Sequence, residues 1–366
     1  MKTVAYVTLM VFALTAPACG GGGERERAVA AVAFDVSDGE SAASDFAWSP
    51  DGRHIAVLSR LLRKVSVFDA RTGTLVGHLE NLAGGASSIG FDRAGDVVSG
   101  PSEGPAFAAT LWNVESGAKR SLPGVDGSTT DPSGNMLLEF SIDQQSDRLL
   151  GVYQLPQGSA ARTALALYDL GTGALLKKGG PAALHVALAR GGRVAAFRIQ
   201  GGALSLFDVE RGEQLRTIYA HASGVDATAW HPAGRIVATG GKARAMVRDP
   251  QSGTVHLVQD PQTLKMWNAE TGEMIGAAAL PQAVEMISFS SDGKLLAASD
   301  GFGVVHILDA TQPGRVLATI PPPERQSVVV RISPDGRNVA RLITAPSRIE
   351  IGDVPAAPSG AGSAAR

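Results

Sequence analysis

The sequence predicts an all-β fold, a seven-bladed β-propeller of four-stranded antiparallel blades. Three observations predict it: a glycine turn that recurs along the chain, a second glycine turn about 20 residues after each first one, and short β-prone runs beside the turns. Glycine accounts for 44 of the 366 residues, well above its usual share of about 7%. A chain with so many glycines is expected to contain many tight turns.

Composition excludes several other classes. The chain is 44% apolar and 19% charged, with a formal net charge of −2. A disordered chain would be poorer in apolar residues, and a nucleic-acid-binding domain would carry a strongly basic segment. The single cysteine, Cys19, excludes an intramolecular disulfide and a zinc site built from several thiolates.

The N-terminus has the three regions of a secretory signal. Lys2 supplies the positive charge, residues 4–14 form an apolar run, and small residues follow at 16–18. The apolar run is shorter than the ~20 residues that a membrane span requires. We therefore expect a signal peptide at 1–18, a flexible tether at 19–27, a propeller at 28–354 and a disordered tail at 355–366.

Cys19 and the glycines after it resemble the start of a mature bacterial lipoprotein, in which a diacylglyceryl group is attached to the first cysteine. The resemblance departs from the family at Ala16, where lipoproteins usually carry leucine. It implies a chain anchored by lipid in the cell envelope and facing the periplasm or the exterior, and Gly20, which is not an acidic retention signal, favours the outer membrane. The alternative is ordinary signal-peptidase cleavage after Ala18, which leaves Cys19 as a free thiol.

The first turn signature is Ser-Pro-Asp-Gly-Arg or a variant of it, in which proline presets φ, Asp caps local amides and glycine adopts a positive φ. With Ser146 standing in for the third glycine, its copies fall at positions 52, 95, 146, 192, 234, 293 and 336. The spacing predicts seven units. Six or eight remain open, because the third unit could instead turn at residues 131–134.

The second signature is an alternating strand that ends in an aromatic or leucine residue followed by Asp or Asn, and then a glycine turn. Its copies run from Val67, Leu111, Leu167, Leu206, Met266 and Ile307. Each unit is therefore predicted to hold four short strands. The two long spacings predict insertions near 131–147 and 242–262, the second being a fifth strand, a protruding hairpin or the remains of a repeat.

These repeats resemble those of the WD-repeat (Trp-Asp repeat) family of seven-bladed propellers. The resemblance is closest from His221 to Gly241 and at Trp267-Asn268, and it covers roughly residues 40–354. Most units lack the Gly-His pair, and four replace tryptophan. The family's Asp-His-Ser/Thr-Trp hydrogen-bond network is therefore expected to be incomplete in most blades.

Ring closure is predicted at the chain ends. The last unit has three strands, and an unassigned β-prone segment, residues 29–36, precedes the first unit. We expect this segment to pair as the outer strand of the last blade, because closure removes the two open sheet edges that an incomplete ring would leave.

No catalytic, cofactor or metal site is predicted. The histidines, at 54, 78, 185, 221, 231, 256 and 306, show no metal-ligand spacing, and neither a nucleophile elbow nor a phosphate-binding loop occurs. Asp51, Asp292 and Asp335 occupy equivalent turn positions, which indicates turn capping and not a pair of catalytic acids.

The resemblance implies that one face of the ring binds a protein partner. The loops of that face are predicted to present Arg60, Leu61, Leu62, Arg63, Lys64, Phe107, His221, Arg244 and Phe302. Leucines flanked by cations are typical of an interaction surface, although the leucines could also fold back over the blade edge.

The sequence therefore predicts a non-catalytic scaffold for an unidentified protein partner and no nucleic acid partner. It does not predict the oligomeric state. The alternative is a propeller enzyme or ligand-binding protein that uses its central channel, similar to quinoprotein dehydrogenases or lactonases. A resemblance to the propeller component of the Tol envelope system rests on the Ser-Pro-Asp-Gly-Arg turn alone.

Overall fold

A computed structural model describes residues 32–36, 43–59, 61–80, 82, 88–100, 109–124, 136–155, 162–181, 183–248, 252–322, 328–344 and 346–354. The predicted signal peptide at 1–18, the tether at 19–27 with Cys19, Arg60, Phe107 and the tail at 355–366 lie outside the described residues. Export, lipid attachment and tail disorder therefore stay predictions.

The described residues form seven four-stranded antiparallel sheets and one separate two-stranded sheet. The strands of the four-stranded sheets, in the order in which they pair, are β2 (Asp45–Trp48), β3 (His54–Ser59), β4 (Lys64–Asp69) and β5 (Leu75–Leu79) in blade 1; β6 (Gly90–Phe91), β7 (Val97–Ser99), β8 (Thr110–Trp112) and β9 (Lys119–Ser121) in blade 2; β10 (Met136–Asp143), β11 (Arg148–Gln154), β12 (Thr163–Asp169) and β13 (Leu175–Lys178) in blade 3; β14 (Leu184–Leu188), β15 (Val194–Ile199), β16 (Ala203–Asp208) and β17 (Glu213–Tyr219) in blade 4; β18 (Ala227–Trp230), β19 (Ile236–Gly240), β22 (Leu264–Asn268) and β23 (Met274–Ala278) in blade 5; β24 (Val284–Phe289), β25 (Leu295–Asp300), β26 (Val305–Asp309) and β27 (Val316–Ile320) in blade 6; and β28 (Val328–Ile332), β29 (Asn338–Thr344), β30 (Ser347–Asp353) and β1 (Val32–Asp35) in blade 7. The separate sheet pairs β20 (Arg244–Arg248) with β21 (Val255–Gln259).

The blades form a closed ring. The first strands of successive blades contact one another all the way round, including β2 of blade 1 against β28 of blade 7. The predicted seven-bladed all-β propeller is thus confirmed, and one 3-10 turn at Gln200–Gly202 is the helical element of the described residues.

Repeated turn chemistry explains why the units fold alike. In the turn between β28 and β29, the Ser333 hydroxyl donates to Asp335 (2.6 Å) and accepts from the Asn338 amide (2.9 Å), while Gly336 has φ +72°. The hydrogen bond from Ser333 lowers the pKa of Asp335. Asp51 and Asp292 take the same role in their own turns, as predicted from their repeat position. The third unit turns at 143–148, between β10 and β11, so the Ser146 assignment is also confirmed.

The N-terminal strand closes the ring, as predicted. β1 pairs antiparallel with β30, in the register Val32 with Ile351 to Asp35 with Arg348. Phe34 packs on Phe68 of blade 1, with ring centroids 5.3 Å apart, inside a core cluster shared by the first and last blades. Blade 7 therefore combines both ends of the described chain.

The cores lie between the blades. Each hydrophobic cluster combines residues from neighbouring sheets, for example Leu206 of blade 4 with Val237 and Trp267 of blade 5. A four-stranded sheet exposes two apolar faces, and stacking against a neighbour on each side buries both of them.

Candidate partner-binding face

The two faces of the ring differ in what they expose. The lower face carries the turns between first and second strands and between third and fourth strands. The upper face carries the turns between second and third strands and the segments that connect blades. Among the described residues, every exposed large apolar side chain lies on an outer strand or on the upper face, and none lies in a lower-face turn.

Blade 1 presents an apolar tip on the upper face. Leu61 and Leu62, between β3 and β4, are 80% and 42% exposed, so these leucines do not fold back over the blade. Arg63 has a positive φ of 54°, and its Nε donates to the Leu82 carbonyl. The next residue, Lys64, lies 3.9 Å from Glu80. The backbone of the tip is therefore fixed beneath two solvent-facing leucines.

A second apolar sector covers blades 4 to 6. Ile199 and Tyr219 end strands of blade 4 at the upper face, and Phe302 lies in the upper turn of blade 6. The Phe302 amide donates to Asp300 Oδ1 at 3.0 Å, which fixes that turn. Phe302 and Arg244 are exposed as predicted. Ile199 and Tyr219 were not singled out from the sequence, because isolated apolar residues at strand ends carry no pattern.

The insertion in blade 5 is a protruding hairpin, which is one of the three interpretations that the sequence left open. β20 and β21 rise from the upper face between β19 and β22 and pair with register Met246 opposite Leu257. Met246, Val255 and Leu257 are 66%, 53% and 58% exposed. The two short apolar runs in 244–248 and 255–259, separated by a turn signal with Pro250 and Gly253, are the sequence signal that could have identified them.

His221 is not available to a partner, which corrects its assignment as an exposed loop residue. It is 3% exposed, and its Nε2 lies 3.1 Å from Thr239 Oγ1, which accepts a hydrogen bond from Trp267 Nε1 at 2.9 Å. Its Nδ1 lies 3.4 Å from Asp260 Oδ2, and Lys265 Nζ lies 2.7 Å from the same oxygen. Blade 5 therefore brings together all four members of the Asp-His-Thr-Trp set, with Thr239 linked to both rings and Asp260 in contact with His221 without a hydrogen bond to it.

The sequence did not assign Asp260 to this network because the hairpin separates it from the usual turn position. Burial lowers the pKa of His221, the Lys265 cation lowers it further, and Asp260 opposes both. The neutral imidazole is thus the form that blade 5 holds.

A central cavity of about 740 Å³ opens toward the lower face. Its walls include Trp48, Trp230 and Phe289, which end the first strands of their blades. Its rim includes Arg93 and Arg190, which lie in the turns between the first and second strands of blades 2 and 4. Trp230 Nε1 donates to the Ala187 carbonyl at 2.9 Å, so this indole links two blades. Among the described residues, no group of three or more His, Cys, Asp or Glu side chains is placed to hold a metal ion.

A buried polar cluster lies between blades 4 and 5. Arg198 Nη1 donates to the carbonyls of Val225 (3.0 Å) and Asp226 (2.6 Å). Arg198 Nε, Asp226 Oδ2 and Thr228 Oγ1 are buried without a hydrogen-bond partner among the described residues. These three atoms are unsatisfied, and no sequence motif identifies the region in which they lie.

Comparison with known proteins supports the architecture. Residues 212–249 match the WD40 family, described as "WD domain, G-beta repeat", and this match contains His221 and Thr239 and runs through β20. No curated protein sequence matches the chain at a significant level. A matching solved chain comes from the "Crystal Structure of Mitotic Checkpoint Complex", with a TM-score of 0.64, 20% sequence identity, and coverage of 95% of this chain and 98% of that chain. At this identity the similarity shows the fold, and the matched repeat together with the seven blades supports a WD-repeat β-propeller.

No helix in the described part of the chain is both long enough and apolar enough to cross a membrane.

Proposed function

We propose that this chain is a non-catalytic scaffold whose upper face binds a protein partner. The observation that carries the proposal is the one-sided distribution of exposed apolar side chains over the loops of the ring. Apolar side chains flanked by cations, such as Leu61 and Leu62 beside Arg63, are the residue types from which interaction hot spots are built. The solved chain from the mitotic checkpoint complex, which shares the fold, is part of a multi-protein assembly.

Rigidity favours this use of the ring. The upper turns of blade 4 (Gln200–Gly202) and blade 6 (residues 301–304) are short, and their ends are fixed by strands whose side chains are buried in the inter-blade clusters. A surface that is already ordered loses little conformational entropy on association, so it binds without a deep pocket. A propeller of this kind provides a stable platform for variable loops.

A double substitution at the blade 1 tip tests this proposal. Leu61→Asp with Leu62→Asp should reduce recovery of the partner by at least about tenfold in quantitative affinity purification, because hot-spot residues each contribute about 2 kcal/mol or more. Leu176→Asp, on the outer strand of blade 3 and half exposed, is the matched control. Equal recovery of every partner by both variants and the unsubstituted chain would remove the tip from the binding face.

We further propose that the chain is exported and anchored in a bacterial cell envelope through a lipid on Cys19, facing the periplasm or the exterior. This rests on the N-terminal pattern of charge, apolar run and small residues ahead of Cys19. Cys19→Ser should abolish incorporation of a labelled fatty acid and release the chain from membranes. Ala16→Leu, which restores the usual lipoprotein residue, should retain both. Absence of label in the unsubstituted chain would leave simple export as the explanation.

The central cavity favours a second candidate, a ligand-binding or enzymatic propeller. Its volume of about 740 Å³ lies within the range of small-molecule sites. Metal analysis and a ligand thermal-shift screen on the mature protein separate the two functions. A bound metal, or a large stabilisation by a cofactor, would favour the channel over the scaffold.

A further inference from the structure

The β20–β21 hairpin is an addition that blade 5 does not need for its own sheet. β18, β19, β22 and β23 form a complete four-stranded blade without it. The insertion also leaves and re-enters at one point, because the Asp260 amide donates to the Ala243 carbonyl at 2.8 Å. Its sequence is therefore free to serve another purpose.

The hairpin stands on the upper face with its apolar side chains uncovered. In an antiparallel pair, opposite residues lie on the same side, so Met246 and Leu257 share one side with Val255. β20 and β21 pair only with each other among the described residues, so each strand offers one unpaired edge. Two-stranded sheets are marginally stable alone, and a third strand on either edge would stabilise this one.

The charge of the insertion indicates the chemistry of that third strand. Residues 242–259 carry three cations, Lys242, Arg244 and Arg248, and one acid, Asp249, although the whole chain has a net charge of −2. Lys242 and Arg244 are exposed, and neither forms an ion pair with the described part of the chain. Asp260, at the base, is already engaged by Lys265. An acidic partner therefore complements the hairpin.

Two other occupants fit less well. A second copy of this hairpin would bring like charges together. An anionic membrane could satisfy cations and apolar side chains, but it offers no backbone groups to a strand edge. Moreover, β1 runs antiparallel to β30 and begins at the lower face, so a tether from Cys19 would join the ring on the side away from the hairpin.

We propose that the β20–β21 hairpin binds an extended acidic segment of the partner protein, which carries apolar and acidic side chains on one side, as an added β-strand. The added strand pairs with a free edge. Arg244 and Met246 are two residues apart on β20 and so share one side with Leu257, which means that the apolar residue covering Met246 and the carboxylate facing Arg244 also lie two residues apart in the added strand. This inference rests on the proposed scaffold function and names the chemistry of its partner.

The test is a selection from a displayed library of random twelve-residue peptides on the full chain. The library is first depleted on a variant in which residues 244–259 are replaced by Gly-Gly. Because Ala243 and Asp260 are already hydrogen bonded, this excision should leave the melting temperature within about 3 °C of the parent. Recovered peptides should be rich in Asp and Glu, with Val, Ile, Leu or Phe two residues away from an acid. No enrichment over depletion, or enrichment of basic peptides, would overturn the proposal.

Fluorescence anisotropy with the best recovered peptide then resolves the contacts. Arg244→Glu and Leu257→Ser should each weaken binding at least about fivefold, and high salt should weaken it further. Leu176→Ser is the matched control and should leave binding unchanged. A proline in the middle of the peptide should abolish binding, because proline cannot donate to a strand ladder.

Three results would contradict the proposed strand binding by the hairpin without contradicting the proposed scaffold function. These are equal binding by the excised variant, insensitivity to Arg244→Glu, and hairpin-dependent binding to anionic phospholipid vesicles in preference to the peptide. The blade 1 tip variant distinguishes the two proposals. If it loses the partner while the excised variant retains it, the scaffold function stands and the hairpin inference fails.

Discussion

Replacing Phe34 with alanine should destabilise the whole ring, because β1 joins the last blade to the first. Phe34 is buried, lies 5.3 Å from the Phe68 ring between centroids, and covers Gly73, where an added Cβ would lie 2.6 Å from the Phe34 Cβ. Buried Phe→Ala substitutions cost about 3–5 kcal/mol, and an edge strand can relax partly, so we expect about 3 kcal/mol. The melting temperature should fall by about 4 °C.

Urea unfolding followed by tryptophan fluorescence is the assay. Trp48 belongs to the same cluster as Phe34 and is one of four tryptophans, so the emission reports on this junction together with blades 2 and 5. Leu176→Ala is the control, since Leu176 lies on the outer strand of blade 3 and is half exposed. It should cost less than about 0.5 kcal/mol.

Deletion of residues 28–37 should produce a larger loss of several kcal/mol, because it exposes the β30 edge as well as the core cluster. If Phe34→Ala and this deletion both leave the unfolding midpoint unchanged, β1 does not hold the ring closed.

Three further predictions concern blades 4 and 5. Thr239→Val should cost about 2–4 kcal/mol in urea unfolding, because it leaves the buried indole and imidazole partners of the hydroxyl without their hydrogen bonds. Thr228→Val, directly opposite in the register, should be neutral, because its buried hydroxyl has no partner in the described part of the chain. Gly202→Ala should cost about 3–5 kcal/mol, because Gly202 has a φ of +74° and an added Cβ would lie 1.5 Å from the His221 carbonyl oxygen. Gly201→Ala, with open space around the added Cβ, should cost only about 1–2 kcal/mol. Thermal melts of the two variants check this. Stability should fall as the pH drops through about 6.5, the ordinary pKa of histidine. The pKa of His221 is lowered in the native chain, so the unfolded chain binds a proton at this pH that the native chain does not bind. A melting temperature that does not change from pH 7.5 to 5.5 would contradict this.

Local turn chemistry made the architecture predictable. The Ser-Pro-Asp-Gly turns lie where the sequence predicts them, because serine, proline, aspartate and glycine each meet a backbone requirement of the turn within five residues. The closure strand was predictable by elimination, since the last unit had three strands and one segment remained. The second strand pair of blade 5 was harder to place, because the hairpin separates β19 from β22 in the chain.

Long-range polar geometry was not predictable. The meeting of His221 with Asp260 depends on where the hairpin ends, and the approach of Arg198 to Asp226 depends on the stacking of two blades. The exposure of Leu61 could be proposed from its flanking cations, but Tyr219 gave no signal because a single aromatic residue at a strand end is common in buried positions as well. Structure that depends on residues within one unit could therefore be predicted from the sequence, and contacts between units could not.

The pairing of β1 with β30 also sets an order of events in folding. Val32 is synthesised first among the paired residues, and its partner Ile351 is among the last. Contacts between residues so far apart in the chain pay a large loop-closure entropy, so this pairing should form late and slowly. During that interval β1 is an unpaired strand that is prone to aggregate. A nascent chain of this protein would therefore expose the edges of β1 until β30 has been synthesised.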